Sequence, residues 1–171
     1  MRQHLPDELP IFPLGQVLFP AGRLHLQIFE PRYLAMTVRC LREQAPFGVS
    51  LIRAGYEVGI PAVPSLVGCS ARIMASHQPV PNRYQLTARG ETRFRIIERW
   101  IDESGLTLAR VAWLEPQDPL PLPSRHARLA SLLAEVYAAM GPDAPLPRPL
   151  RLDDAAWVAN RWAELLPVTP E

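Results

Sequence analysis

The chain contains no lysine, because all 18 basic residues among its 171 residues are arginine. A phosphate-binding loop of the GxxxxGK[ST] type requires a lysine, and so do Schiff-base chemistry and any nucleophile activated by a lysine base. No GxSxG motif is present either. The sequence therefore predicts a protein without catalytic residues, and we expect it not to be an enzyme.

Cysteine and histidine are scarce, and their spacing does not suit metal binding. Cys40 and Cys69 have no CxxC partner, and the four histidines show no HxxxH spacing. Structural and catalytic metal sites depend on such spacings. We therefore expect no metal and no cofactor, and two free buried cysteines rather than a disulfide.

Long hydrophobic runs are also missing. No apolar run approaches the ~20 residues that span a bilayer, and the amino terminus, MRQHLPDELP, has no hydrophobic core of a signal peptide. Apolar residues make up 48 % of the chain and charged residues 20 %, which is typical of a globular domain. We expect a folded cytoplasmic protein that does not bind membranes.

The stretch from Leu9 to Leu34 contains the clearest local patterns. Leu24, Leu26 and Ile28 alternate with polar residues, which predicts a strand with one buried face. Glu30-Pro31 then favours a helix start, because proline suits the first helical position and a carboxylate is favoured near the helix amino terminus. The apolar spacing that follows predicts a helix at about 31–43.

Four motifs in this part of the chain are recognisable together. LPIFPL, VLFP and IFEPRYLAM, followed by FGVSLI at Phe47–Ile52, resemble the Lon protease amino-terminal domain, also called the Lon substrate-binding domain. The resemblance covers residues 8–166 and implies a stand-alone domain without the ATPase and protease domains of full-length Lon. We expect the motif residues to be mainly structural; they are Pro13, Phe19, Pro20, Phe29, Glu30, Pro31, Arg32, Tyr33, Phe47 and Gly48.

The fold class that we expect is α+β. A flexible tail (1–8) precedes a small twisted β pseudo-barrel (9–116), which is PUA-like, has five or six strands and carries the helix after its second strand. A small helical subdomain (123–171) follows, and it is shorter than in the family, whose members continue into a further helix. A change of apolar parity after Leu108 predicts a β-bulge at Ala109–Arg110.

Arginines on one predicted strand suggest an anion-binding site. Arg89, Arg93, Arg95 and Arg99 have the same parity along one predicted β segment. They form either a solvated sheet face or a surface that binds RNA or an anionic small molecule, since guanidinium groups bind phosphates bidentately. The net charge of only +1 argues against a dedicated nucleic-acid-binding protein.

The function that the resemblance implies is non-catalytic binding of polypeptide. The partner is then an unfolded or flexible polypeptide, or a specific protein. The sequence does not decide whether the chain forms a homodimer. A groove between the pseudo-barrel and the helical appendage is one candidate site. An exposed strand edge is another, because it can add a strand from a partner. Binding of RNA or an anion through the arginine strands is the alternative.

Overall fold

The computed structural model describes residues 5–141 and 147–166. The chain divides into two compact units, Met1–Glu115 and Pro116–Glu171. The first unit contains β1 (Glu8–Leu14), β2 (Arg23–Ile28), α1 (Pro31–Glu43), β3 (Phe47–Ala54), β4 (Val63–Val80), β5 (Arg83–Ile101) and β6 (Thr107–Trp113). The second contains a 3-10 turn (Ser124–His126), α2 (Ala127–Met140) and α3 (Ala155–Leu165).

The two ends of the chain concern the expected flexible tail and the expected shortening of the helical part. Strand β1 begins at Glu8, so the last residue assigned to a flexible tail is already in the sheet. Residues 1–4 of that tail lie outside the described residues, as do residues 167–171, on which the expected shortening of the helical part depends. Within the described ranges, no helix is long and apolar enough to cross a membrane.

The six strands form one sheet in the order β2-β5-β4-β3-β1-β6, and β6 also pairs with β5. The pairings therefore close into a ring of β5, β4, β3, β1 and β6. Strand β1 runs parallel to β3, and the other pairs are antiparallel. Strand β2 extends the sheet beside the first half of β5. The predicted α+β fold, with its helix after the second strand, is confirmed.

Strand β1 is buried on both faces, since six of its seven residues, Leu9 to Leu14, are buried. Leu9 and Ile11 pack in an inner cluster with Phe94, Ile96, Ala109 and Val111. Phe12 and Leu14 belong to a second cluster that includes side chains from β2, β3 and α1. Two-sided burial explains why β1 is a nearly continuous apolar run, without the polar alternation of β2.

Helix α1 begins at Pro31 and ends where Gln44 adopts a left-handed conformation, with φ of 50°. The predicted range of 31–43 is confirmed. Proline at the first position needs no hydrogen-bond acceptor, and a left-handed residue is a common way to end a helix. Tyr33, Met36 and Cys40 form the apolar part of its buried face, which places the Glu30–Tyr33 corner directly against the sheet.

The predicted bulge in β6 is wrong. Strand β6 pairs with β1 in continuous register from Thr107 to Arg110. The extra residue is Ile97 on the neighbouring strand β5, where the register shifts between Ile96 and Glu98. The parity change in the sequence has another cause, because Leu108 packs against the second cluster while Ala109 and Val111 face the inner one.

In the second unit, α2 and α3 pack through a small apolar cluster that includes Leu133, Tyr137, Trp157 and Val158. Asp154 begins α3, and its Oδ1 accepts the backbone N–H groups of Ala156 (3.0 Å) and Trp157 (3.4 Å). This is standard N-cap chemistry. Asp154 therefore has a structural role at the start of α3.

Candidate binding site

The Glu30–Tyr33 corner is organised around the buried guanidinium of Arg32. Its Nη2 lies 2.8 Å from Glu30 Oε2, and its Nη1 donates to the carbonyl oxygen of Gly105 at 3.3 Å. The guanidinium carbon lies 4.8 Å from the centre of the Tyr33 ring. Because Gly105 belongs to the turn between β5 and β6, Arg32 connects the start of α1 to that turn.

Several other motif residues are also part of the packed interior. Pro13, Phe47 and Gly48 are buried, and the centres of the Phe12 and Tyr33 rings lie 4.1 Å apart. Phe19 and Pro20 are half-buried, and the Phe19 carbonyl oxygen accepts the N–H of Gly22 at 3.0 Å. Pro31 is exposed at the start of α1. These positions are consistent with the structural role expected for most of the motif.

Phe29 is the large apolar motif residue that stays exposed, with 47 % of its surface accessible. It borders a cavity of about 60 Å³, whose other lining residues are Phe12, Gln27, Ile28, Glu30, Tyr33, Glu57 and Val58. Burial raises the pKa of Tyr33, so its hydroxyl is neutral at physiological pH. A cavity of this size and lining suits the end of one aliphatic side chain.

The loop between β3 and β4, residues 55–62, carries further exposed apolar side chains. Tyr56, Val58 and Ile60 are 84 %, 58 % and 86 % exposed. Glu57 connects the loop to the residue that follows β1, because its Oε1 accepts the backbone N–H of Gly15 at 2.6 Å. We call Phe29, Tyr56, Val58 and Ile60 the apolar patch, because Phe29 and Val58 share the cavity and the other two flank Val58 in sequence.

The sequence did not reveal this patch. Residues 55–62 show no periodic pattern, and their glycines and prolines predict only a loop. Phe29 and Val58 come together because β2 and the β3–β4 loop meet beside α1, a long-range relationship that no local pattern contains. The signal that was present is compositional, since three large apolar residues in one loop are unusual for a segment that faces solvent.

A second concave surface lies on the β2-β5-β4 part of the sheet, with a volume of about 390 Å³. Its lining is mainly polar and includes His25, Gln27, His77 and Gln85. His25 Nδ1 lies 3.2 Å from the Thr87 hydroxyl. In the part of the chain that the structure describes, no group of three or more histidines, cysteines and carboxylates is arranged to hold a metal ion.

The four arginines of the predicted anion face do not keep one orientation along β5. The strand has extra residues between Gly90 and Arg93 and again at Ile97, and each one reverses the alternation of faces. Arg93 is half-buried opposite Cys69, whereas Arg95 lies opposite Val67 and Arg99 opposite Ala109. Anion binding by these residues stays a prediction.

A different set of arginines does come together. Arg89 on β5 is the direct partner of Arg23 on β2 and of Arg72 on β4. Direct partners in an antiparallel sheet share a face, so the three form a row. Arg72 is neutralised by Glu91 at 2.7 Å and also donates to the Gln44 carbonyl oxygen. The sequence could not show this row, because strand pairing, and not a local pattern, decides which residues of β2 and β4 lie beside Arg89.

The ring of strands with a helix after its second strand can be compared with known folds. The chain matches the family model of the ATP-dependent protease La (LON) substrate-binding domain over residues 8–171, and it belongs to this family. Membership supports a role in substrate recognition, and such a domain is non-catalytic in itself. The resemblance noted in the sequence is confirmed.

Solved structures agree with this assignment. The Lon N-terminal domain protein from Xanthomonas campestris is 35 % identical, with a TM-score of 0.75, over 94 % of this chain and 83 % of that one. The N-terminal domain of Mycobacterium avium complex Lon protease is 13 % identical, with a TM-score of 0.51, over 93 % of this chain and 75 % of that one. The second likeness supports the fold alone. No curated protein matches the chain.

Proposed function

We propose that this chain binds flexible or unfolded polypeptide at the apolar patch. The observation that carries the proposal is the exposure of Tyr56, Val58 and Ile60 on one loop beside the cavity bordered by Phe29. Grouped exposed apolar side chains mark interaction sites on folded proteins. The family to which the chain belongs is one of substrate-binding domains, which supports the same conclusion.

The size of the patch indicates weak and tolerant binding. Fully burying one large aliphatic or aromatic side chain contributes about 1.5–3 kcal/mol, and ordering the partner removes much of that gain. A dissociation constant of about 10 μM to 1 mM is then expected. The cavity of about 60 Å³ accepts the end of a single side chain, so selection among partner sequences should be modest.

Fluorescence anisotropy with a labelled, unstructured peptide rich in leucine and phenylalanine tests the proposal. The variant with Val58→Ser and Ile60→Ser should bind at least about fivefold more weakly, because two apolar contacts are lost. The matched control carries Leu66→Ser and Val80→Ser, which change exposed apolar residues elsewhere on the sheet, each 52 % accessible. Equal weakening in both variants would contradict the assignment to this patch.

Salt dependence separates the proposal from the anion-binding alternative. Apolar binding should change little between low and high salt, whereas binding through phosphate contacts falls steeply. A labelled short RNA measured in parallel gives the comparison. RNA binding that disappears at high salt, without any peptide binding, would replace the apolar patch by an arginine surface as the functional site.

A further inference from the structure

Strand β2 has one open edge. Among the described residues it pairs with β5 alone, over six consecutive positions from Arg23 to Ile28. The Gly90 N–H donates to the carbonyl oxygen of Gly22 at 2.9 Å, just beyond the direct partners Arg23 and Arg89, which makes Arg23 and Arg89 a non-hydrogen-bonded pair. Because such pairs alternate along an antiparallel ladder, the backbone groups of Arg23, His25 and Gln27 point away from β5.

The β2 edge has neither a bulge nor a proline, two devices that often protect an exposed strand. Its pairing with β5 has no register shift, and the strand contains no proline and a single charged residue, Arg23. The opposite edge of this part of the sheet, residues 72–80 of β4, has an extra residue at Met74 and a proline at position 79. Bulges and prolines prevent strand addition, so of these two described edges the β2 edge is the one that can accept a partner strand of regular geometry.

We infer that the β2 edge binds an extended segment of polypeptide as an additional antiparallel strand. This inference rests on the proposed function and specifies how the partner is held. Ile28, at the end of β2, borders the same cavity as Phe29 and Val58, so a strand along β2 leads directly to the apolar patch. Backbone hydrogen bonds supply recognition that does not depend on the partner's sequence.

The charges along this path define the partner's chemistry. Arg23 and Arg89 are direct partners at the start of β2, and Glu30 and Glu57 border the cavity at its end. Arg32 neutralises Glu30, and Glu57, whose Oε1 accepts the Gly15 N–H, is the other acidic residue at this end of the path. An antiparallel segment therefore carries a basic residue near its amino end, an acidic residue near its carboxyl end, and alternating apolar residues over the ~17 Å between them.

Two capped, labelled peptides of identical composition, KTVTVTE and ETVTVTK, test this inference by anisotropy with the whole chain. The first should bind at least about threefold more tightly, because only its charge order matches both ends of the β2 edge. Equal binding of the two peptides would overturn the proposed orientation. Failure of KTVTVTE to bind, while unstructured leucine-rich peptide still binds, would overturn strand addition and leave the proposed function standing.

The variants His25→Pro and His25→Thr separate backbone recognition from side-chain recognition. Proline at position 25 removes the backbone N–H that points away from β5 and leaves the β2–β5 hydrogen bonds in place. Threonine keeps this N–H and suits a strand. His25→Pro should weaken KTVTVTE binding about fivefold or more, and His25→Thr should stay within about twofold of the original chain. Equal affinity of the two variants would overturn the inference.

A chemical probe gives the same answer without relying on the proline variant to fold. Methylation of alternate backbone nitrogens in KTVTVTE blocks hydrogen bonding along one edge of the bound peptide only. The peptide methylated on the nitrogens that face β2 should not bind. The peptide methylated on the other nitrogens should have a dissociation constant within about threefold of that of KTVTVTE. Equal tolerance of both sets would show that no strand is added. If the original chain binds neither KTVTVTE nor the leucine-rich peptide, the proposed function itself is wrong.

Discussion

The Phe94 ring occupies the space that a side chain at Gly68 would need. The two residues are direct partners on β5 and β4, and a Cβ atom on Gly68 would lie 2.5 Å from Phe94 Cζ. Gly48 on β3 has the same relationship, with 2.8 Å between its added Cβ and Phe94 Cζ. Glycine at both positions therefore allows one phenyl ring to fill the inner cluster between three strands.

Gly48→Ala should destabilise the first unit by about 1–3 kcal/mol, because overpacking forces side chains from their preferred positions. The atoms that an alanine methyl would meet are side-chain atoms, Ile11 Cδ1 at 2.7 Å and Phe94 Cζ at 2.8 Å. Adding Phe94→Leu should therefore recover part of the loss. Urea unfolding followed by tryptophan fluorescence measures both changes.

Gly68→Ala provides the comparison for that rescue. An added Cβ would lie 2.5 Å from the Val49 carbonyl oxygen as well as from the ring, and backbone cannot move as a side chain can. Phe94→Leu should then restore less stability to Gly68→Ala than to Gly48→Ala. Equal rescue of both variants would show that Phe94 alone limits the space at the two positions.

Removing the Glu30 charge should cost about 2–3 kcal/mol of unfolding free energy. Glu30→Gln leaves the Arg32 guanidinium, whose side chain is only 7 % exposed, without its 2.8 Å carboxylate partner. The matched control is Glu98→Gln at the Arg110–Glu98 pair, whose side chains are 53 % and 62 % exposed. There the change should stay below about 0.5 kcal/mol. Similar losses in both variants would contradict the buried character of the first pair.

Cys40 should be unreactive in the folded chain. Burial raises the pKa of its thiol from 9.0 to about 11, and the thiolate is the reactive form. A thiol reagent at pH 8 should label the two cysteines, both of which are buried, only after denaturant is added. Fast labelling of Cys40 without denaturant would mean that the α1 face opens readily.

The same shift predicts a loss of stability at alkaline pH. A folded-state pKa above the unfolded value means that the folded chain holds this proton more tightly, so stability falls as the pH rises from about 9 to about 11. Burial also raises the pKa of Tyr33, which contributes in the same direction. Urea midpoints from pH 8 to 11 should therefore fall less steeply in Cys40→Ala than in the original chain. Equal slopes would contradict the assignment to Cys40.

Asp102 should stabilise the β5–β6 turn at neutral pH and not in acid. Its Oδ1 accepts the Ser104 hydroxyl (2.6 Å) and the backbone N–H groups of Ser104 (2.8 Å) and Leu106 (3.0 Å). The Ser104 hydroxyl is the main cause that lowers the pKa of Asp102 below its usual value of 3.8. Asp102→Ala should lower thermal stability at pH 7, and the difference should shrink as the pH falls below that value. A difference that is independent of pH would exclude the carboxylate as its cause.

The local elements were largely predictable, because each depends on residues close in sequence. Proline at position 31 and the apolar spacing after it gave the bounds of α1, and strict alternation gave the buried face of β2. The bulge was assigned to the wrong strand, because Leu108 is apolar for a reason that alternation cannot show. It packs against the second cluster, whereas Ala109 and Val111 belong to the inner one.

The sequence by itself determined the family, the helix after the second strand and the absence of lysine chemistry. These follow from motifs, short-range periodicity and composition. Only the tertiary structure decided that Phe29 and Val58 share a cavity, that Arg23, Arg72 and Arg89 form a row, and that β2 keeps an open edge. The physical reason is that strand pairing joins segments far apart in the chain, and single extra residues such as Met74 and Ile97 then decide which face each side chain occupies.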